Sequence, residues 1–276
     1  MEKISIMMGI YNCADTLPRA IDSIINQTYT NWELILCDDA STDNTYEIAK
    51  AYQEKHPDRI ILIRNEQNMR LAATLNHCLE YATGKYVSRM DGDDESVADR
   101  FEKQVAYLEA HPDVDLVGTA VLRINDGKRF LLKSVPNPNR YTMRNGPPFL
   151  HATILTYKYV YEKCGGYTVA ERTRRAEDQD LWFKFYHNGF EGANLAEDLY
   201  IVYEGEAHVS RRKASDRWLT FQVQAHGFKL LGYPKWWIIK PFFGTLIRSL
   251  CPHWVQGLYR KYQHSKSEKA FASKDV

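Results

Sequence analysis

Five short clusters carry side chains that could do chemistry. Asp91-Gly92-Asp93-Asp94 sets two carboxylates at i and i+2 about a glycine. In an extended segment those positions project the same way, so Asp91 and Asp93 can converge on one hard cation while Gly92 leaves room for a ligand. Mg²⁺ and Mn²⁺ prefer oxygen donors, and Mg²⁺ is typically held by one or two carboxylates together with substrate phosphates. Gly9-Ile10-Tyr11-Asn12 offers a ring and an amide, Asp38-Asp39-Ala40-Ser41-Thr42-Asp43-Asn44-Thr45 offers acids and hydroxyls, and Asn65-Glu66-Gln67-Asn68-Met69-Arg70 offers amides and a guanidinium. Glu177-Asp178-Gln179-Asp180 supplies carboxylates of the kind that take a proton from an attacking hydroxyl. Helix capping and turn formation explain a single Asp, Asn or Ser at a strand end. They do not require two or three acids there. The chain has no GxGxxG and no GxxxxGK[ST] loop, so a bound pyrophosphate would need a carboxylate-held cation to neutralise it.

These clusters must be positioned by regular elements. Apolar, β-branched runs of strand length recur at Ile4–Ile10, Glu33–Asp38, Ile60–Asn65, Lys85–Met90 and Asp115–Ile124. Between them lie segments of helical spacing. The first carries Ile21, Ile24 and Ile25 after Thr16 and Pro18. The second carries Tyr46, Ile48, Ala49 and Tyr52, with Ser41 or Thr42 as N-cap. The third carries Leu71, Leu75, Leu79 and Ala82 and ends at Gly84, and the fourth carries Phe101, Val105 and Leu108. This alternation predicts an α/β fold with a Rossmann-like, mostly parallel sheet covered by helices on both faces. Ligands of such sheets bind beyond the carboxyl ends of the strands, where four of the five clusters fall.

The ordered set of Tyr11-Asn12, Asp38-Asp39-x-Ser-x-Asp-x-Thr, Asn68-x-Arg70, Asp91-Gly92-Asp93-Asp94 and Glu177-Asp178-x-Asp180-Leu181-Trp182 resembles a family-2 glycosyltransferase of the GT-A fold over roughly residues 3 to 210. The resemblance implies inverting transfer from a nucleotide-diphosphate sugar, a UDP-sugar, to a saccharide or lipid-linked saccharide acceptor, with Mn²⁺ or Mg²⁺ as cofactor. It implies that Tyr11, Asn12, Asp39, Arg70 and Asp91 bind the donor nucleotide, with Asp39 accepting from the uracil imide. Asp93 and Asp91 would ligate the cation, and His208 would complete its ligand set. Asp178 would be the general base and Glu177 its alternative or a donor-sugar contact. His151, Asp180 and Trp182 would lie on the acceptor side, and Arg211-Arg212-Lys213 would meet donor phosphates or an anionic lipid acceptor. An arginine at the start of a helix, as at Arg70, opposes the macrodipole unless an anion is near.

Composition narrows the classes. The 276 residues are 44% hydrophobic and 26% charged, which excludes a disordered chain. With 36 basic against 35 acidic residues, the balance argues against a nucleic-acid binder. Five scattered cysteines without Cys-x-x-Cys read as reduced thiols in a cytoplasmic protein. Ile4–Ile10 reads as a buried strand rather than a secretory segment, and no uncharged apolar stretch reaches the 18 residues of a spanning helix. The charge is uneven, however. From Lys229 onward, nine Lys and Arg face two Asp and Glu, a local net of +7, and three of six tryptophans (Trp236, Trp237, Trp254) lie there. The expected division is therefore a catalytic domain at 1–228, with a nucleotide half at 1–120 and an acceptor half at 121–228, and a helical basic and aromatic tail at 229–276. The tail suits an in-plane anchor on the anionic inner face of the cell membrane; packing on the catalytic domain or homo-oligomerisation is its alternative use. Competing functions are a sugar-nucleotide nucleotidyltransferase, which usually has a glycine-rich basic loop after the first strand, a glycoside hydrolase pairing Asp93 with Asp178, and a non-catalytic membrane-bound scaffold.

Overall fold

The computed structural model describes residues 1–125, 127–204 and 214–250. Strands β1 (Ile4–Ile10), β2 (Trp32–Asp38), β3 (Ile60–Arg64) and β4 (Tyr86–Arg89) alternate with helices α1 (Leu17–Ile25), α2 (Thr45–Lys55) and α3 (Leu71–Tyr81). A short β5 (Glu95–Ser96) and α4 (Arg100–Ala110) follow, then β6 (Leu116–Asn125), β7 (Lys128–Leu132) and β8 (Leu155–Tyr157). The remainder is α5 (Lys158–Cys164), α6 (Glu177–His187), β9 (Gly192–Glu204), α7 (Ala214–Leu230) and α8 (Ile239–Leu250). They form one sheet ordered β3-β2-β1-β4-β8-β6-β9-β5, with β7 beside β6.

Strands β3, β2, β1 and β4 are parallel, and antiparallel β8 joins them to the parallel pair β6 and β9. Alternation along β1 buries both faces. Ile4, Ile6, Met8 and Ile10 pack against α1, α2 and α4, while Met7 joins Ile35, Cys37 and Leu75 on the α3 and α6 side. Ile10, Asp38 and Arg64 end level with one another, and Arg89 pairs with Met7, so the segment after β4 meets the end of β1. One edge of the sheet thus collects the clusters that follow β1, β2, β3 and β4.

Two local expectations change. Helix α2 starts at Thr45 with Asn44 as N-cap, because the Ser41 hydroxyl is occupied by the backbone N–H of Asn12 at 3.1 Å. Helix α3 ends at Tyr81, and Gly84 serves close approach instead: a Cβ there would lie 2.6 Å from the Lys3 carbonyl. In the second half, α7 lies on α6 through Gly227, where a Cβ would come within 2.1 Å of the Phe183 ring. Residue 229 falls inside α7, residue 121 falls inside β6, and Leu231 and Tyr233 pack into the same core as Trp182 and Phe185. No helix among the described residues is long and apolar enough to cross a membrane.

Candidate active site

A cavity of about 690 Å³ opens at the carboxyl edge of the sheet. One wall is Gly9, Ile10 and Tyr11 at the end of β1, Asp39 after β2, and Asn68, Arg70, Leu71 and Thr74 at the start of α3. The other wall is Arg174, Arg175, Glu177 and Asp178 around the start of α6, with Asp216 from α7. Gly9 lets α3 approach, since a Cβ there would meet Thr74 at 3.1 Å. Asn12, Ala40 and Arg70 are the non-glycine residues with positive φ among the described residues, at 48°, 58° and 68°. Each costs conformational energy, and such residues concentrate where function dictates the backbone.

Asp39 is 4% exposed and organises this wall. Its Oδ1 accepts from Asn65 Nδ2 at 2.8 Å and from the Met69 N–H at 2.7 Å, and its Oδ2 accepts from the Arg70 N–H at 2.9 Å. Those bonds hold Arg70 in its strained conformation. The Arg70 guanidinium meets Glu171 at 2.8 Å, so the anion its helix-start position calls for is here a protein carboxylate. Tyr11 is half exposed along the cavity. Asn12 is turned away: its Oδ1 accepts from the Thr42 N–H at 2.9 Å and fastens the end of β1 to the loop after β2. Asp38 is buried on Arg64 at 2.9 Å and belongs to the fold rather than the cavity.

Asp91 and Asp93 are not among the residues that line the cavity. Gly92 provides no space for a ligand, because a Cβ there would meet Cys13 at 3.1 Å and Ile10 at 3.3 Å. Asp91 is gripped by Arg89, Nε and Nη2 both lying 2.9 Å from Oδ1. The same guanidinium reaches Glu177 at 3.9 Å and donates from Nη1 to His151 Nδ1 at 2.7 Å. Burial opposes the Arg89 charge, but Asp91, Tyr167, Glu177 and Asp178 outweigh it and raise its pKa. Arg89 therefore joins the acid cluster after β4 to the acids of α6. Burial, and then Asp91 and Asp93, push the Asp94 carboxyl up to about 8. Asp91, Asp93 and Asp94 are oxygen donors of the kind a hard cation takes, but Asp91 is already held by Arg89. Among the described residues no group of three or more His, Cys, Asp or Glu is arranged to hold a metal ion by itself, and His208 lies outside the described residues, as do Arg211, Arg212 and Lys213.

Three residues expected on the acceptor side are buried and do not line the cavity. His151 is buried, and since its Nδ1 accepts from Arg89, its Nε2 carries the proton and donates to the Tyr167 hydroxyl at 2.8 Å. Burial, then Arg89, drives its pKa well below the ordinary value, so it is a neutral brace for Arg89. Trp182 is 1% exposed, packed edge-on to Phe149 and His151. Asp180 is also buried, accepting from Thr168 at 2.6 Å and Arg172 at 3.3 Å. Helical geometry explains the split: the first turn of α6 carries Glu177, Asp178 and Asp180, and only one side of it can face the cavity. Sequence reasoning missed Arg89, Arg174, Arg175 and Asp216. A charged residue inside a buried strand, and two arginines at the positive end of a helix, were the signals.

The model of Glycosyl transferase family 2 matches residues 5–169, more than half of the chain. The chain belongs to that family. It is 47% identical to the putative glycosyltransferase EpsE of Bacillus subtilis over 94% of this chain and 93% of that protein. It is 28% identical to the Escherichia coli UDP-Glc:alpha-D-GlcNAc-diphosphoundecaprenol beta-1,3-glucosyltransferase WfaP, over 77% and 82% of the two chains. Among solved structures, Staphylococcus aureus TarS 1-349 in complex with UDP aligns at a TM-score of 0.69 and 18% identity over 92% of this chain and 74% of that one. The mannosyltransferase PcManGT of Pyrobaculum calidifontis, in complex with GDP-Man and Mn²⁺, aligns at 0.61 and 20% identity over 95% and 79%. The architecture is that of the GT-A fold, and the protein is a glycosyltransferase enzyme.

In this glycosyltransferase, Glu177 offers a pH signature. Burial pushes its carboxyl from 4.5 up to about 7, with Arg89 opposing and Asp178 adding to the rise. A folded-state pKa above the unfolded one gives stability that is complete below about pH 4.5 and is lost as pH climbs through about 7. Glu177→Gln has no such loss. It is expected to match the wild type near pH 5 and to gain on it by roughly 1–3 kcal/mol at pH 8, read by urea unfolding at both pH values. An equal deficit at both would show that ionised Glu177 is a net anchor for Arg89.

Proposed function

We propose that the protein transfers a sugar from a UDP-sugar to a hydroxyl of a lipid-linked saccharide, with inversion, in the building of a cell-surface polysaccharide. The supporting observation is that Asp39 and Asp178, one from each half of the chain, line one cavity. Relatives named for amylovoran biosynthesis in Erwinia amylovora and for a diphosphoundecaprenol-linked acceptor favour the polysaccharide and lipid parts, and the UDP-bound neighbour favours the nucleotide.

In this reading Tyr11 stacks on uracil, and the imide N–H fills the acceptor position left on the Asp39 carboxylate, which offers about four. Arg70, in the wall that holds Asp39, lies where the diphosphate would rest. Arg70 exchanges Glu171 for phosphate at small cost, because their ion pair is exposed and such pairs are worth about 0–1 kcal/mol. Asp178 takes the proton of the acceptor hydroxyl as its oxygen bonds to the anomeric carbon. The bond from that carbon to the diphosphate breaks, and UDP departs with the electron pair. Attack from the α6 side, opposite the leaving group, inverts the centre. Asp178 stands in the first turn of α6 and accepts from the Gln179 N–H at 2.7 Å, a setting that favours a carboxylate. Mn²⁺ or Mg²⁺ held by Asp91 and Asp93 would neutralise the diphosphate as Lewis acid. The protein would work at the inner face of the cell membrane, with the exposed face of α8 toward the anionic surface.

The test is thermal stabilisation by UDP-, GDP- and dTDP-sugars with and without Mn²⁺. A UDP-sugar at 100 times its Kd should add about 2.7 kcal/mol, and Asp93→Ala should lose the Mn²⁺-dependent part. No stabilisation by any nucleotide sugar would end the donor reading.

A further inference from the structure

A second cavity, of about 400 Å³, adjoins the first and shares Arg175 and Asp178 with it. Arg144, Arg175 and Lys240 line it, with Gln179, Thr220 and Gln224 as neutral polar groups. The charge around it is unusual. Of the arginines that line the first cavity, Arg70 meets Glu171 at 2.8 Å and Arg174 meets Asp216 at 2.8 Å, whereas Arg175 is shared by both cavities. Among the described residues, Arg144, Arg175 and Lys240 have no carboxylate at ion-pair distance. Arg144 is instead fixed over the Trp237 ring, 4.5 Å from its centre, which orients the guanidinium without spending its charge. Three cations against the one carboxylate of Asp178 leave the recess net positive and suited to a polyanion.

The rim indicates what that polyanion is attached to. Lys240, Pro241 and Gly244 of α8 form one edge of the recess. Ile247 follows Gly244 by three residues and Phe243 by four, and with Leu250 these side chains make an apolar stripe beside that edge. They are exposed, Phe243 at 53%, Ile247 at 64% and Leu250 at 75%. The opposite face of α8 is already used, Phe242 packing edge-on to Trp218 and Phe221 of α7.

We propose that this second cavity seats the diphosphate of a prenyl-diphosphate-linked acceptor, with Arg144, Arg175 and Lys240 on the phosphates and the hydrocarbon laid along Phe243, Ile247 and Leu250. Asp178 lines both cavities, so a saccharide attached to that diphosphate has its hydroxyls delivered to the general base. The assignment rests on the glycosyltransferase reading above and adds the site that recognises the carrier.

Farnesyl diphosphate and inorganic pyrophosphate serve as probes of the full chain, titrated against tryptophan fluorescence with UDP and Mn²⁺ saturating the first cavity. Farnesyl diphosphate should bind more tightly than pyrophosphate. Arg144→Gln and Lys240→Glu should each weaken both probes by about tenfold or more, leaving UDP stabilisation as in the wild type. Phe243→Ser with Ile247→Ser should weaken farnesyl diphosphate alone. Lys240, Phe243 and Ile247 are exposed, so their replacement keeps the test open if Arg144→Gln folds poorly. Unchanged farnesyl diphosphate affinity in Lys240→Glu would overturn the proposal. Equal affinity for both probes, or displacement of farnesyl diphosphate by phosphatidylglycerol vesicles, would do so too, the latter marking a general membrane contact. Should UDP itself fail to bind, the donor reading falls, and the same titrations without it still decide the second cavity.

Discussion

Asp178→Asn is expected to abolish transfer while leaving the enzyme folded and able to bind donor. The amide keeps the shape of the side chain and can still accept from the Gln179 N–H, but it cannot take a proton. General-base catalysis typically contributes about 10²–10⁴-fold, so kcat at saturating donor should fall by that factor or more. UDP stabilisation should stay within error of the wild type, because Asp39, Tyr11 and Arg70 stand on the opposite wall. Near-normal turnover would reassign the base, with Glu177, in the same wall, as the next candidate.

Arg89→Met carries the largest expected cost in stability. Its side chain is 7% exposed and compensates Asp91 and Glu177, whose side chains are 33% and 13% exposed. Removing one member of a buried charge set strands the others, typically at about 3–5 kcal/mol. For a chain of this size that is roughly 10 °C in Tm. The sign of the pH effect follows from Glu177. Without Arg89 its carboxyl pKa rises further, so the deficit should be smaller at pH 5, where Glu177 can be neutral, than at pH 8. Arg89→Lys keeps the charge but not the fork that meets Asp91, Glu177 and His151 together, and should fall between. Calorimetry at the two pH values checks the order; a deficit independent of pH would assign Arg89 to packing alone.

The strand pattern was legible because it is local. Ile4–Ile10 is a strand with the bounds its apolar run predicts, and the clusters after β1, β2, β3 and β4 gather on one edge because parallel strands all end on the same side. The first turn of α6 was legible for the same reason, since a run of acids before Leu181 and Trp182 marks a helix start. The glycosyltransferase expectation came from the ordered set of motifs after successive strands, and the match to Glycosyl transferase family 2 bears it out.

Which acid does what was not legible. Asp38 and Asp39 are neighbours in sequence, yet one is buried on Arg64 and the other faces the cavity. Asp178 and Asp180 divide likewise between cavity and Arg172, and His151 and Trp182 turn out to be buried supports of Arg89 and the core. The sequence by itself determined the elements, their order and the residues available for chemistry, because hydrophobic period and charge are properties of neighbours along the chain. Only the tertiary structure decided which of those residues are spent on each other. Bonds such as Arg89 to His151, 62 residues apart, depend on where packing brings distant strands and helices together, and no local pattern encodes that meeting.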